Sequence, residues 1–345
     1  MHLHLAMMAL ASAGEGPNVL AEALEGLGAY QRHSYRRDQQ ERPVLASEGS
    51  SRLLDYGGTG MPALFVPSLV NPATILDLLP ERSLLAHAAT QGIRPLLLDW
   101  GSPGAAETGF DLAAYVGRLA RLLGQAATMT GTPVALVGYC MGGTLAVAAS
   151  LLAPEAVSRL ALLAAPWDFH AGPGTHYALA LAAAPLLPLI EQAGTVPMAL
   201  AQGFFLALHP RAALDKFARF RRLDPDGAEA RFFVALEDWV NGGAPLAGPM
   251  AAATLRDWYL LNLPAQGLWR VGDIRVAPGD LRLPVLAAVP RADRIVPPES
   301  ALGVCRGLAP ERLIRPASGH VGMIVGRRAR TQLWDPLLAW LREGM

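Results

Sequence analysis

The sequence has 345 residues, 52 % of them hydrophobic and 17 % charged, with Lys plus Arg equal to Asp plus Glu at 29 each. That length suits one large α/β domain with an insertion, and the apolar excess supplies a sizeable core with surface left over for an apolar partner or product. Balanced charge gives no global field toward nucleic acid or an anionic membrane. The two cysteines, Cys140 and Cys305, lack the spacing of zinc or dithiol redox sites and fit a reduced, cytoplasmic setting.

Along the chain, residues 1–10 are apolar but have no basic start and are short for an export signal. Residues 19–40 carry a weak helical pattern, so residues 1–50 are expected to be a peripheral helical segment. Short apolar runs then alternate with helical stretches, at 63–66, 95–98, 133–137, 160–163 and 285–289. Continuous apolar strands separated by helices predict a mostly parallel sheet covered on both faces.

Turn chemistry follows each run, at Pro67-Ser68, Asp99-Trp100-Gly101, Gly138-Tyr139, Ala165-Pro166-Trp167-Asp168 and Pro290-Arg291-Ala292-Asp293. In open α/β sheets ligands bind outside the carboxyl ends of the strands, so the candidate chemistry gathers on one edge. Between residues 169 and 275 the alternation stops. The chain there is helical, rich in Ala, Leu and Pro, and predicted to form a helical cap inserted between core segments 51–168 and 276–345. The uncharged stretch 169–190 is interrupted by Pro173, Pro185 and Pro188. A membrane-spanning helix needs about 20 uninterrupted apolar residues, so no transmembrane span is expected.

The segment Gly138-Tyr139-Cys140-Met141-Gly142 lies between a strand run and a small-residue helix and reads G-x-C-x-G. This is the nucleophile elbow of an α/β-hydrolase fold, with cysteine in the serine position. The glycines are required because the turn is too tight for side chains. The helix N-terminus behind Cys140 favours its thiolate. The fold needs an acid and then a histidine later in the chain. Asp293 and His320 supply them, His320 as general base and Asp293 as its orienting acid. Asp168 also follows a core strand and is the rival acid, with a turn or N-cap role as its alternative. The other seven histidines lack the context of His320. The oxyanion donors are expected to be the backbone N–H of Met141 and, from the loop after the first apolar run, that of Val70 or one of its neighbours.

Taken together, several stretches resemble the polyhydroxyalkanoate synthases. They are Val66-Pro67-Ser68-Leu69-Val70-Asn71-Pro72, Leu98-Asp99-Trp100-Gly101, Gly138-Tyr139-Cys140-Met141-Gly142-Gly143, Leu163-Ala164-Ala165-Pro166-Trp167-Asp168-Phe169, Asp238-Trp239-Val240-Asn241, Asp293-Arg294-Ile295-Val296-Pro297 and Gly319-His320-Val321-Gly322. The resemblance runs from about residue 62 to 341, and the length is similar to that of the short, partner-requiring type. It implies polymerisation of hydroxyacyl-coenzyme A through an acyl-cysteine, with the coenzyme A thioester as substrate and no bound cofactor or metal. It also implies a second synthase subunit, dimerisation, and a location in the cytoplasm or on polyester granules. An esterase, thioesterase or non-polymerising acyltransferase of the same fold is the alternative, and a non-catalytic scaffold is a third.

Overall fold

The computed structural model describes Ser12 and residues 17–38, 40–208 and 211–343. The reading of residues 1–10 lies outside these, as do His2, His4 and His209. The chain divides into two compact units, Met1–Gln40 with Pro197–Gly243, and Glu41–Val196 with Ala244–Met345.

The second unit holds an eight-stranded sheet: β1 Val44–Glu48, β2 Ser51–Asp55, β3 Met61–Val66, β4 Ile93–Asp99, β5 Val134–Tyr139, β6 Val157–Leu163, β7 Val285–Ala288 and β8 Arg312–Ile314. Their order is β1-β2-β4-β3-β5-β6-β7-β8. β2 is antiparallel to both its neighbours, and every other pairing is parallel. β5 is buried along its whole length, as a central parallel strand covered on both faces must be. In register, Val66 pairs with Gly138, Tyr139 with Leu163, Leu163 with Ala288, and Ala288 with Ile314. The strands therefore end in line, and the loops that follow them meet on one edge.

β1 and β2 are strands the apolar runs do not announce, because β1 is an edge strand with mostly half-exposed, partly polar residues. Their hairpin turns at Gly49, whose φ of 58° is left-handed. Behind that turn Glu107 accepts hydrogen bonds from the Ser50 N–H at 2.8 Å and the Gly104 N–H at 2.6 Å, and it pairs with buried Arg118. Burial alone would raise the Glu107 pKa, but these donors outweigh it and hold the carboxyl down at about 2.

Helix Leu112–Thr130 starts on Asp111, whose carboxylate accepts from the Ala114 N–H at 2.8 Å, and stops on Gly131 at a φ of 76°. The stretch 169–190 is divided between helices Thr175–Ala183 and Leu187–Gln192. Among the described residues no helix is long and apolar enough to cross a membrane.

The first unit packs helices Pro17–Arg32, Arg211–Phe220 and Ala228–Asn241 around Ala23, Leu27, Leu214, Phe217, Phe220 and Phe233. Gly26 allows the close approach: a Cβ there would lie 1.9 Å from the Phe217 carbonyl oxygen. The compact units thus differ from the sequence boundaries. Helix Pro17–Arg32 shares a core with residues 211–234, whereas 169–196 and 244–275 belong with the sheet. The apolar stripe on the N-terminal helix is what a reading of that segment as peripheral undervalues.

Candidate active site

Cys140 stands between β5 and helix Met141–Leu152 with a φ of 56°, one of three non-glycine residues described with a left-handed φ. Such a conformation costs a non-glycine residue about 1–3 kcal/mol and persists where its surroundings fix it. Here the Cys140 N–H donates to the Leu163 carbonyl at 2.9 Å and its own carbonyl accepts from the Gly143 N–H at 2.9 Å. A Cβ on Gly138 would fall 2.4 Å from the Gly143 Cα, and one on Gly142 would fall 2.3 Å from the Val66 carbonyl oxygen. Both outer glycines of the motif are therefore steric necessities. The thiol is left partly exposed beside Ile295 and the buried Val289, Val296 and Ala301.

The loops after β7 and β8 bring Asp293 and His320 together. Asp293 has no exposed side-chain surface. One of its oxygens accepts from the N–H groups of Ile295 and Val296 at 2.9 and 2.8 Å, and the other lies 2.7 Å from His320 Nδ1. A carboxylate tied down twice by backbone leaves one oxygen to orient the imidazole. Burial works against a charged His320, but the Asp293 carboxylate and the Cys140 sulfur outweigh it and raise the pKa to about 10. Asp293 thus holds the imidazole in its protonated form.

Asp168, the rival acid, is occupied elsewhere. It accepts from Asn262 Nδ2 at 2.9 Å, from the His170 N–H at 3.2 Å and from Arg306 at 2.6 Å, and these donors hold its pKa down against the effect of burial. Asn262 also accepts from the Phe169 N–H at 2.9 Å. The cluster ties the loop after β6 to the segment at 262 and makes no bond to His320. The remaining described histidines have structural partners: His33 meets the Pro225 carbonyl, His87 meets Asp335, His170 the Tyr259 carbonyl and His176 the Ile295 carbonyl.

Met141 opens its helix, where first-turn N–H groups lack intrahelical acceptors. The Val70 N–H donates to Ser68 Oγ at 3.1 Å within its own loop. Trp100 anchors that loop by donating from Nε1 to the Pro67 carbonyl at 3.1 Å, which gives the Asp99-Trp100-Gly101 turn a physical task.

Two aromatic residues escape a sequence search. Tyr139 stacks on His320 with ring centroids 5.0 Å apart and planes 29° off parallel, and its hydroxyl lies 3.4 Å from the His320 carbonyl. Tyr259 is close enough to Cys140 that the sulfur, after burial, raises its phenol pKa. The only sequence signal for Tyr139 is its place beside the nucleophile. Tyr259 has none, since its helix is distant in sequence.

The fold and elbow define the class. A family model for the alpha/beta hydrolase fold matches residues 81–326, and the chain belongs to that family. Within it, the chain is similar to curated polymerase subunits. The poly(3-hydroxyalkanoate) polymerase subunit PhaC of Haloferax mediterranei is 29 % identical over 313 residues, covering 87 % of this chain and 63 % of that protein. Its namesake from Synechocystis sp. is 28 % identical over 298 residues, covering 82 % of this chain and 78 % of that protein. A thermophilic esterase structure from Thermogutta terrifontis superposes with a TM-score of 0.52 at 17 % identity, covering 89 % of this chain and 99 % of the esterase, a likeness of fold.

Proposed function

We propose that this chain is a polyhydroxyalkanoate synthase-like acyltransferase that joins (R)-3-hydroxyacyl units from coenzyme A thioesters into polyester. The observation that carries the reading is the cysteine on the elbow, with His320 held toward it by Asp293, in a chain whose curated relatives are named polymerases.

In the first half-reaction His320 takes the Cys140 thiol proton, and the sulfur attacks the thioester carbonyl and forms a new carbon–sulfur bond. The oxyanion is received by the Met141 N–H and by the Val70 N–H, which exchanges Ser68 Oγ for the stronger acceptor. Collapse breaks the bond to coenzyme A, and His320 gives its proton to the departing thiolate. In the second half-reaction His320 takes the proton from the 3-hydroxyl of an acceptor, whose oxygen attacks the acyl-sulfur carbonyl. An ester forms and the Cys140 thiolate is freed. Asp293 stabilises the imidazolium in both halves.

The polymerase-subunit names of the relatives support a second synthase subunit as partner, and the reading carries with it a dimer, a cytoplasmic location and attachment to polyester granules. Residues 169–196 and 244–275, which belong with the sheet, act as the cap over the acyl chain.

Purified protein with 3-hydroxybutyryl-coenzyme A, with and without a candidate partner subunit, tests this. Thiol release together with a chloroform-soluble, hexane-insoluble product is expected, and both should vanish in Cys140→Ala. Thiol release without polymer under both conditions would contradict the polymerase reading in favour of hydrolysis.

A further inference from the structure

The edge of the sheet that carries the site also carries two unneutralised cations. Arg291 and Arg294 flank Asp293 on the loop after β7, and both are exposed. Neither has a hydrogen-bonded or ionic side-chain partner among the described residues. Every other described arginine of the sheet-containing unit is engaged in a hydrogen bond, an ion pair or another interaction. Asp293 cannot neutralise them, because its carboxylate is turned inward to His320 with no exposed surface. Glu299, the next acidic residue along the chain, pairs with neither.

The backbone at these residues is stitched to the loop that bears the histidine. The Arg291 N–H donates to the Pro316 carbonyl at 2.9 Å, and the Ala292 N–H donates to the Ser318 carbonyl at 3.1 Å. On the far side of Asp293, Ile295 packs with Cys140 against the cluster of Val289, Val296 and Ala301. The two arginines therefore stand, exposed, on the β7 loop that carries Asp293 and is hydrogen-bonded to the loop that carries His320. A guanidinium stays charged at any working pH and binds phosphate in a forked, two-point geometry. In a protein with no net charge, two free arginines three residues apart make a local positive site where the average field offers none.

We propose that Arg291 and Arg294 form an anion-binding rim that receives the phosphate groups of the acyl donor's nucleotide portion, so that the chain selects a coenzyme A thioester over the same acyl group on an uncharged thiol. This rests on the acyltransferase reading above and names the part of the donor that the rim recognises.

The test compares wild type with the Arg291→Gln/Arg294→Gln double variant on two donors. One is 3-hydroxybutyryl-coenzyme A; the other is the 3-hydroxybutyryl thioester of pantetheine, which keeps the acyl group and thiol arm but lacks phosphate. The double variant is expected to lose about tenfold or more in kcat/KM on the coenzyme A thioester, with the pantetheine thioester changed by no more than about twofold. Equal losses on both donors, or no loss on either, overturn the proposal.

A second measurement needs no turnover: calorimetric titration of free coenzyme A into Cys140→Ala protein with and without the two arginine substitutions. Kd should weaken by about the same tenfold, and an unchanged Kd, or no binding by the parent, overturns the proposal. The two readings fail separately. Arginine-dependent binding of coenzyme A without thiol release would count against the acyltransferase, whereas thiol release indifferent to the arginines would count against the rim alone.

Discussion

His320 Nδ1 lies 2.7 Å from an Asp293 oxygen, and the other Asp293 oxygen is held by two backbone N–H groups. The contact fixes which imidazole nitrogen faces the carboxylate and leaves Nε2 for the sulfur. Replacing Asp293 by Asn keeps an oxygen for the turn but removes the charge and disturbs the tautomer. Thiol release in Asp293→Asn should fall by about 10³–10⁴-fold with circular dichroism unchanged. A loss of less than about tenfold would remove Asp293 from the machinery.

The same contact makes stability depend on pH. The His320 pKa is about 10 in the folded chain and near the ordinary 6.5 when unfolded. The folded state binds this proton more tightly, so the stabilisation is complete below about 6.5 and is lost as pH rises through about 10. Denaturant unfolding at pH 6, 8 and 10 should show the margin of wild type over His320→Gln shrinking with rising pH. A margin that is constant or grows would contradict the assigned shift.

Gly142 is the point where the helix behind Cys140 meets the end of β3. With the Val66 and Pro67 carbonyl oxygens 2.3 and 2.5 Å from where a Cβ would stand, Gly142→Ala must push backbone apart. It should destabilise the protein by roughly 1–3 kcal/mol or more and reduce thiol release, readable as a lowered midpoint in urea. Gly109, with nothing within 4 Å of its Cβ position, is the control, and Gly109→Ala should be close to neutral.

Asp168 and Asn262 answer to stability instead. Asn262→Ala leaves the Phe169 N–H without a partner and Asp168 Oδ1 with the His170 N–H as its remaining donor, and should cost about 1–3 kcal/mol in unfolding free energy. Asp168→Asn should lower Tm while keeping kcat within about tenfold of wild type, which separates it from Asp293→Asn. A collapse of kcat in Asp168→Asn would return it to candidacy as the acid.

The sheet and the elbow were legible because their signals are local. Continuous apolar runs became β3 to β7, and Gly138-x-Cys140-x-Gly142 has the spacing that steric contact with Gly143 and Val66 demands. Chain order was enough to nominate Asp293 and His320, since the fold brings loops after successive strands to one edge. β1 and β2 were not legible, because their pairing relies on a glycine turn and on Glu107 some 57 residues beyond Ser50. The partnership of helix Pro17–Arg32 with Phe217 and Phe233 is likewise a long-range packing fact, as is the approach of Tyr259 to Cys140. Local pattern carries no information on such pairs.

The central claim is that Cys140 takes the acyl group. Acid-quenching the protein seconds after mixing with 3-hydroxybutyryl-coenzyme A and mapping the adduct by peptide mass spectrometry tests it most directly. The account predicts a mass increase of one hydroxyacyl unit, or a whole-number multiple, on the peptide containing Cys140, sensitive to hydroxylamine and absent from Cys140→Ala. Acylation found at Cys305 or at a serine, or thiol release undiminished in Cys140→Ala, would contradict it.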